Sequence, residues 1–145
     1  MEKTLHYLIM ANHLLFQKSL IVNIKDTDLT LGQPKVLDYL LYHDGVVQKE
    51  IAGACHIEPA TITSVLLGME NKGLITRKNL TGNRRSLYVY LTDEGKILAK
   101  RIGIEFESIE DNALKGFTNE EKKMLTDFLI RVNQNMKKEG EVCDE

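Results

Sequence analysis

A chain of 145 residues fits one domain, or one domain with a helical extension, and can bury a substantial core. Hydrophobic residues make up 43% and charged residues 28%, and the formal net charge of −2 excludes a uniformly basic nucleic-acid coat, so an anionic partner must meet a local patch. No apolar run approaches the roughly 18 residues of a membrane span, and two cysteines make no disulfide framework, which suits a reducing cytoplasm.

The N-terminal MEKTLHYLIMANHLLFQ lacks the basic start and small-residue cleavage site of a signal peptide. Over 4–22, Leu5, Leu8, Ile9, Leu15, Phe16 and Leu20 recur at helical spacing. Both faces are apolar, which predicts a helix packed on more than one side. Lys25-Asp26-Thr27-Asp28 is a polar break. Thr30 and Gln33 have capping-box spacing and Pro34 falls in the first turn of a second helix. That helix runs through Val36, Leu37, Leu40 and Leu41 and ends near Gly45.

Residues 48–55 predict a short helix and His56-Ile57-Glu58 a turn. Pro59 then opens a helix over 59–72, which Gly73 ends as a left-handed cap. Ile62, Val65, Leu66 and Met69 share one face of it. The opposite face carries Ala60, Ser64, Leu67, Gly68 and Asn71, with Thr61 and Thr63 at its edges. Segments 74–79 and 86–91 favour strand around a turn holding Gly82, Asn83, Arg84 and Arg85. Thr92-Asp93-Glu94-Gly95 opens a long helix, and Thr118 with Glu121 makes a second capping box before the last one. The fold class expected is mostly α with a small antiparallel β hairpin. A winged helix-turn-helix occupies 30–91, and the helices of 1–29 and 92–145 form a dimerisation bundle.

A helix-turn-helix pattern alone is weakly specific, because many bundles contain such pairs. The hairpin behind it adds charge: from Pro59 to Leu91, five basic residues (Lys72, Arg77, Lys78, Arg84, Arg85) face one acid, Glu70, a local +4 against the chain's −2. Arginines side by side on a turn repel each other unless an anion is near. Double-stranded DNA is therefore the expected partner, with Ala60, Thr61, Thr63, Ser64 and Asn71 presented to the major groove. Asn83, Arg84, Arg85 and Ser86 are placed on the wing over 74–91, at the minor groove or backbone. Thr30, Gln48, Lys49, Lys72 and Arg77 are candidate phosphate donors. For Thr30 and Gln48 a capping role explains the residue equally well. Only Asn71 can make a bidentate base contact, and it comes late in the helix. Base readout should be mild, and groove shape sensed by Arg84 and Arg85 should carry more of the specificity.

Enzyme chemistry finds no footing: no phosphate-binding glycine loop, nucleophile elbow or metal-hydrolase helix is present. His6, His13, His43 and His56 are dispersed, so neither metal nor cofactor is expected. Cys55 reads as a small buried hydrophobe, with a redox-sensing thiol as the alternative. Cys143 lies among carboxylates in the tail. A winged helix used for contact with an acidic protein is a further alternative, which an exposed Leu67 would suit.

Several runs together resemble the MarR family of transcription regulators: Leu29-Thr30-Leu31-Gly32-Gln33, Gln48-Lys49-Glu50-Ile51-Ala52, Met69-Glu70-Asn71-Lys72-Gly73-Leu74-Ile75-Thr76-Arg77, Asn83-Arg84-Arg85-Ser86 and Leu91-Thr92-Asp93-Glu94-Gly95. The likeness covers roughly residues 5–136 and is specific in combination. It implies a homodimer with paired wings flanking two recognition helices, whose DNA affinity a small molecule, oxidant or metal modulates. It also implies an effector cleft lined by His13, Phe16, Gln17, Leu37, Leu40 and Tyr42, for which plain inter-helix core is an equal reading. Two positions depart from the family: Asn83 where an aspartate is common, and Ser64 where many members carry arginine. The zinc-responsive branch draws histidines from the helix after the wing, and 92–115 holds none. The peroxide-sensing branch uses a cysteine in the first helix, and none precedes Cys55.

Overall fold

The computed structural model describes residues 3–80 and 86–141. Its elements in order are α1 (Leu5–Asn23), α2 (Gln33–Tyr42), β1 (Val46–Val47), α3 (Gln48–Ala54), α4 (Pro59–Asn71), β2 (Ile75–Lys78), β3 (Tyr88–Leu91), α5 (Asp93–Ala113) and α6 (Asn119–Glu141). They fall into two compact units, 1–109 and 110–145.

In the first unit the core gathers around α2, α3 and α4. Val36, Leu37 and Leu40 of α2, Ile51 of α3, and Leu66 and Met69 of α4 are fully buried with Val89 of β3 and Ile102 of α5. The i, i+4, i+7 spacing of Ile62, Leu66 and Met69 turns a single face of α4 inward and leaves the other free. Helix α1 is apolar all round, yet only Leu20 of it is buried. Leu5, Met10, Leu15 and Val22 stand out from the chain.

The expected hairpin is a three-stranded antiparallel sheet in the order β1-β3-β2. β3 is central, pairing Val46 with Val89 on one side and Arg77 with Val89 on the other. A two-residue strand gives no period, which is why β1 is invisible in sequence. The sheet ties the start of α3 to the wing, since the Gln48 amide donates to the Leu87 carbonyl at 3.1 Å.

Helix ends largely follow the sequence signals. Pro59 opens α4, and Gly73 takes φ +75° just past its end, where a Cβ would be strained. The Thr30–Gln33 box forms only in half. Gly32, at φ +93°, is the N-cap residue of α2, while the Gln33 side chain reaches back to accept from the Thr30 amide at 3.1 Å. The turn between α3 and α4 places His56 at φ +53°, unusual for a residue other than glycine.

Where the wing returns, the Thr92 amide donates to the Leu74 carbonyl at 3.0 Å and the Thr92 hydroxyl to the Gly73 carbonyl at 2.7 Å. That hydroxyl also caps α5 by accepting from the Gly95 amide at 3.0 Å. Gly95 sits so close to Leu74 that a Cβ would strike the Leu74 carbonyl oxygen.

The second unit holds α6, which opens on a complete capping box: the Glu121 amide donates to the Thr118 hydroxyl at 3.1 Å, and the Thr118 amide to the Glu121 carboxylate at 2.9 Å. Its apolar residues Met124, Leu125, Phe128, Leu129 and Ile130 are all exposed. Among the described residues no single helix is long and apolar enough to cross a membrane.

Candidate nucleic-acid interface

The free face of α4 presents Ala60, Thr61, Thr63, Ser64, Leu67 and Asn71 to solvent. Gly68, expected on that face, is instead half-buried and turned toward α2. A Cβ there would lie 3.0 Å from Gln33 Nε2. The Ser64 hydroxyl donates to the Thr61 carbonyl at 2.8 Å, so its proton is already engaged by its own helix.

A chain of polar contacts runs across this surface. Arg77 of β2, its side chain only 13% accessible, donates from Nε and Nη2 to the two carboxylate oxygens of Glu70 at 3.1 and 3.2 Å. The Arg77 hydrogen bonds hold the Glu70 carboxyl below its ordinary range, against a smaller opposing effect of burial. From Nη1, Arg77 donates to Gln48 Oε1 at 3.5 Å, and Gln48 Nε2 donates to the Thr63 hydroxyl at 2.9 Å. Two expected phosphate donors are thereby occupied within the protein. Gln48 and Arg77 brace the exposed face of α4 from behind, and α3 takes no cap from the Gln48 side chain.

Lys72 is tied down as well. Its ammonium donates to Gln33 Oε1 at 2.9 Å and to the Asp28 carbonyl oxygen. Lys49, in the first turn of α3, is exposed and lines a surface hollow with Pro59 at the start of α4. Thr30 is exposed, with its amide held by Gln33. Ser86 is half-buried at the foot of the wing. Asn83, Arg84 and Arg85 lie outside the described residues. Sequence reasoning assigned no role to Lys78, whose ammonium lies 5.3 Å from the centre of the Tyr90 ring.

A cleft of about 670 Å³ opens on the other side of α2. Of the six expected lining residues His13, Phe16 and Gln17 are there, with Phe16 stacked on Phe106 at 6.0 Å. Leu37 and Leu40 are not: they belong to the stripe of α2 that faces the core and are fully buried. Tyr42, two residues past Leu40 and so on the opposite side of α2, points to solvent at 77% accessibility. Their places are taken by the approach to α2, from Leu29 to Gly32, and by Pro34 and Lys35 in its first turn.

Cys55 is buried, with its thiol directed at the Lys35 carbonyl at 3.6 Å. Burial pushes its pKa up, with only partial relief from Lys35. A buried thiol whose pKa is raised is a poor nucleophile, which fits the reading of Cys55 as a small buried hydrophobe. Among the described residues no group of three or more His, Cys, Asp or Glu is placed to hold a metal.

Comparison with known proteins gives a consistent result. Residues 29–87 match the sequence profile of the MarR family. The HTH-type transcriptional regulator YybA of Bacillus subtilis is 28% identical over 120 residues, covering 83% of this chain and 80% of that one. The transcriptional regulator HosA of Escherichia coli O157:H7 is 33% identical over 106 residues, covering 72% and 78%. Among solved structures, a MarR-family transcriptional regulator of Listeria monocytogenes complexed with 26mer DNA superposes with a TM-score of 0.83 at 29% identity, over 94% of this chain and 90% of that one.

Proposed function

The chain belongs to the MarR family and is a DNA-binding transcription regulator, and from that premise we propose that it acts as a homodimeric repressor gripping a two-fold operator. The reading rests chiefly on one observation: α4 turns an unobstructed face outward, beside a wing, on a scaffold that superposes over nearly its whole length on a regulator captured with DNA. In this reading residues 30–91 bind DNA. Helix α4 lies in the major groove, Lys49 meets the backbone, and Arg84 and Arg85 carry the wing to the minor groove or phosphates.

Residues 1–29 and 92–145 hold two copies together. Support for that comes from the apolar side chains that α1 and α6 leave exposed, including Leu5, Leu15, Phe128 and Leu129. Half-sites would then lie about one helical turn apart, roughly 34–36 Å. The cleft beside Phe16 and Phe106 is of a size to admit a small apolar effector carrying a polar group.

Gel-shift titration across salt concentration tests the grip. Binding should fall by about 0.9 log unit per neutralised phosphate per decade of salt. Arg84→Ala and Arg85→Ala should each weaken binding and flatten that slope. An affinity and slope unchanged in both would remove the wing from the mechanism, and no shift at low salt would favour the protein-contact alternative.

A further inference from the structure

Two side chains one turn apart on the free face of α4, Thr63 and Leu67, make up a chemically defined pair. Leu67 is 46% accessible and contributes nothing to the core. Helical side chains lean toward the N-terminus, so Leu67 inclines over Thr63, and Ala60 continues the apolar strip one turn ahead.

Thr63 is not free to act in any direction. Glu70 clamps Arg77, Arg77 Nη1 donates to Gln48 Oε1, and this fixes which end of the Gln48 amide faces α4. The end that does is Nε2, a donor, and it fills one lone pair of the Thr63 hydroxyl at 2.9 Å. With that acceptor site taken from behind, the hydroxyl proton is available to donate outward. The pair thus offers a donor beside an apolar surface.

In the major groove, thymine shows an acceptor, O4, beside a C5-methyl group. Guanine shows acceptors without a methyl, adenine an acceptor, N7, beside an amino donor, and cytosine an amino donor, so the methyl is what marks thymine. We propose that Thr63 and Leu67 together read thymine, Thr63 donating to O4 and Leu67 covering the C5-methyl. The proposal rests on α4 being the groove helix and adds the base that it selects. An exposed leucine, awkward on a surface facing water, is then accounted for by the methyl it shields.

The test uses the full chain with two probes at low salt: an alternating dA-dT duplex, and its dA-dU counterpart, which has the same hydrogen-bonding edges but no methyl. The wild type should prefer dA-dT by about fourfold for each methyl buried. Leu67→Ala should bind dA-dU as the wild type does and lose the preference. Thr63→Val should weaken both duplexes alike, since O4 is present in each. Equal wild-type affinity for the two duplexes, with a normal salt slope, overturns the thymine reading and leaves DNA binding intact. A preference that survives in Leu67→Ala removes Leu67 as the reader and also overturns it. Failure to bind either duplex overturns both the groove placement and this reading.

Discussion

The ammonium of Lys72 lies 2.9 Å from Gln33 Oε1 and also donates to the Asp28 carbonyl, fastening the C-cap of α4 to the segment that leads into α2. Gln33 is almost wholly buried, and the same oxygen accepts from the Thr30 amide. Helix α4 and the wall of the cleft beside Phe16 are therefore joined through two side chains, because Leu29 to Gly32 line that cleft.

Lys72→Met should remove the tie and cost about 1–3 kcal/mol of stability, read as a lowered melting temperature. Because the ammonium is engaged inside the protein, the salt slope of DNA binding should remain close to that of the wild type. A loss of nearly a full unit, about 0.9, would instead show that Lys72 leaves Gln33 for a phosphate.

The Glu70–Arg77 pair carries a pH signature. A glutamate held below its ordinary value of 4.5 contributes stability that is present above that value and is lost as pH falls through the lower, folded-state value. Glu70→Gln should therefore be less stable than the wild type at neutral pH. The difference should close as pH drops below about 4.5. With the Glu70 side chain 36% accessible, the effect is screened and should shrink further in high salt. A gap that does not narrow at all as pH falls below about 4.5 would assign the loss to packing rather than charge.

Two glycines in helices should respond in opposite directions to the same substitution. Gly53→Ala in α3 meets nothing within 4 Å and should stabilise by about 0.5–1 kcal/mol. Gly95→Ala, in the first turn of α5, drives a methyl into the Leu74 carbonyl and should destabilise by at least about 1–3 kcal/mol. Denaturant midpoints with unchanged slopes would measure both, and a stabilised Gly95→Ala would contradict the packing described.

For the proposed homodimer, Phe128→Asp combined with Leu129→Asp places charge on the exposed apolar face of α6. Sedimentation should then show a monomer, with operator affinity reduced about a hundredfold or more as two-site binding is lost. An unchanged dimer would move the assembly surface off α6.

Elements with local signals were legible in the sequence. Pro59 and Gly73 bracket α4, and the Thr118–Glu121 box marks the start of α6, because each acts on backbone groups three or four residues away. Contacts that close over a long separation were not. The partnership of Arg77 with Glu70 and Gln48 depends on how β2 doubles back past α4, so the sequence showed a basic residue in a basic region and nothing of its engagement. Leu37 and Leu40 were assigned to the cleft through the family resemblance, and their apolar character does not tell the core side of a helix from its cleft side. One signal was available: Gln33 at capping-box spacing from Thr30 placed the start of α2 beside that wall.

The junction of Gly73, Leu74, Thr92 and Gly95 bears on how the wing can be exchanged between related regulators. Leu74 gives its carbonyl to the Thr92 amide, and the absence of a side chain at Gly95 leaves room for that carbonyl. A graft cut inside this junction from a chain without that glycine or threonine would bring in a residue that collides with the carbonyl or omit the hydroxyl that caps α5. Gly73, Leu74, Thr92 and Gly95 therefore travel as a set, and chimeras that keep all four from one parent should fold where chimeras that place a side chain at 95 fail.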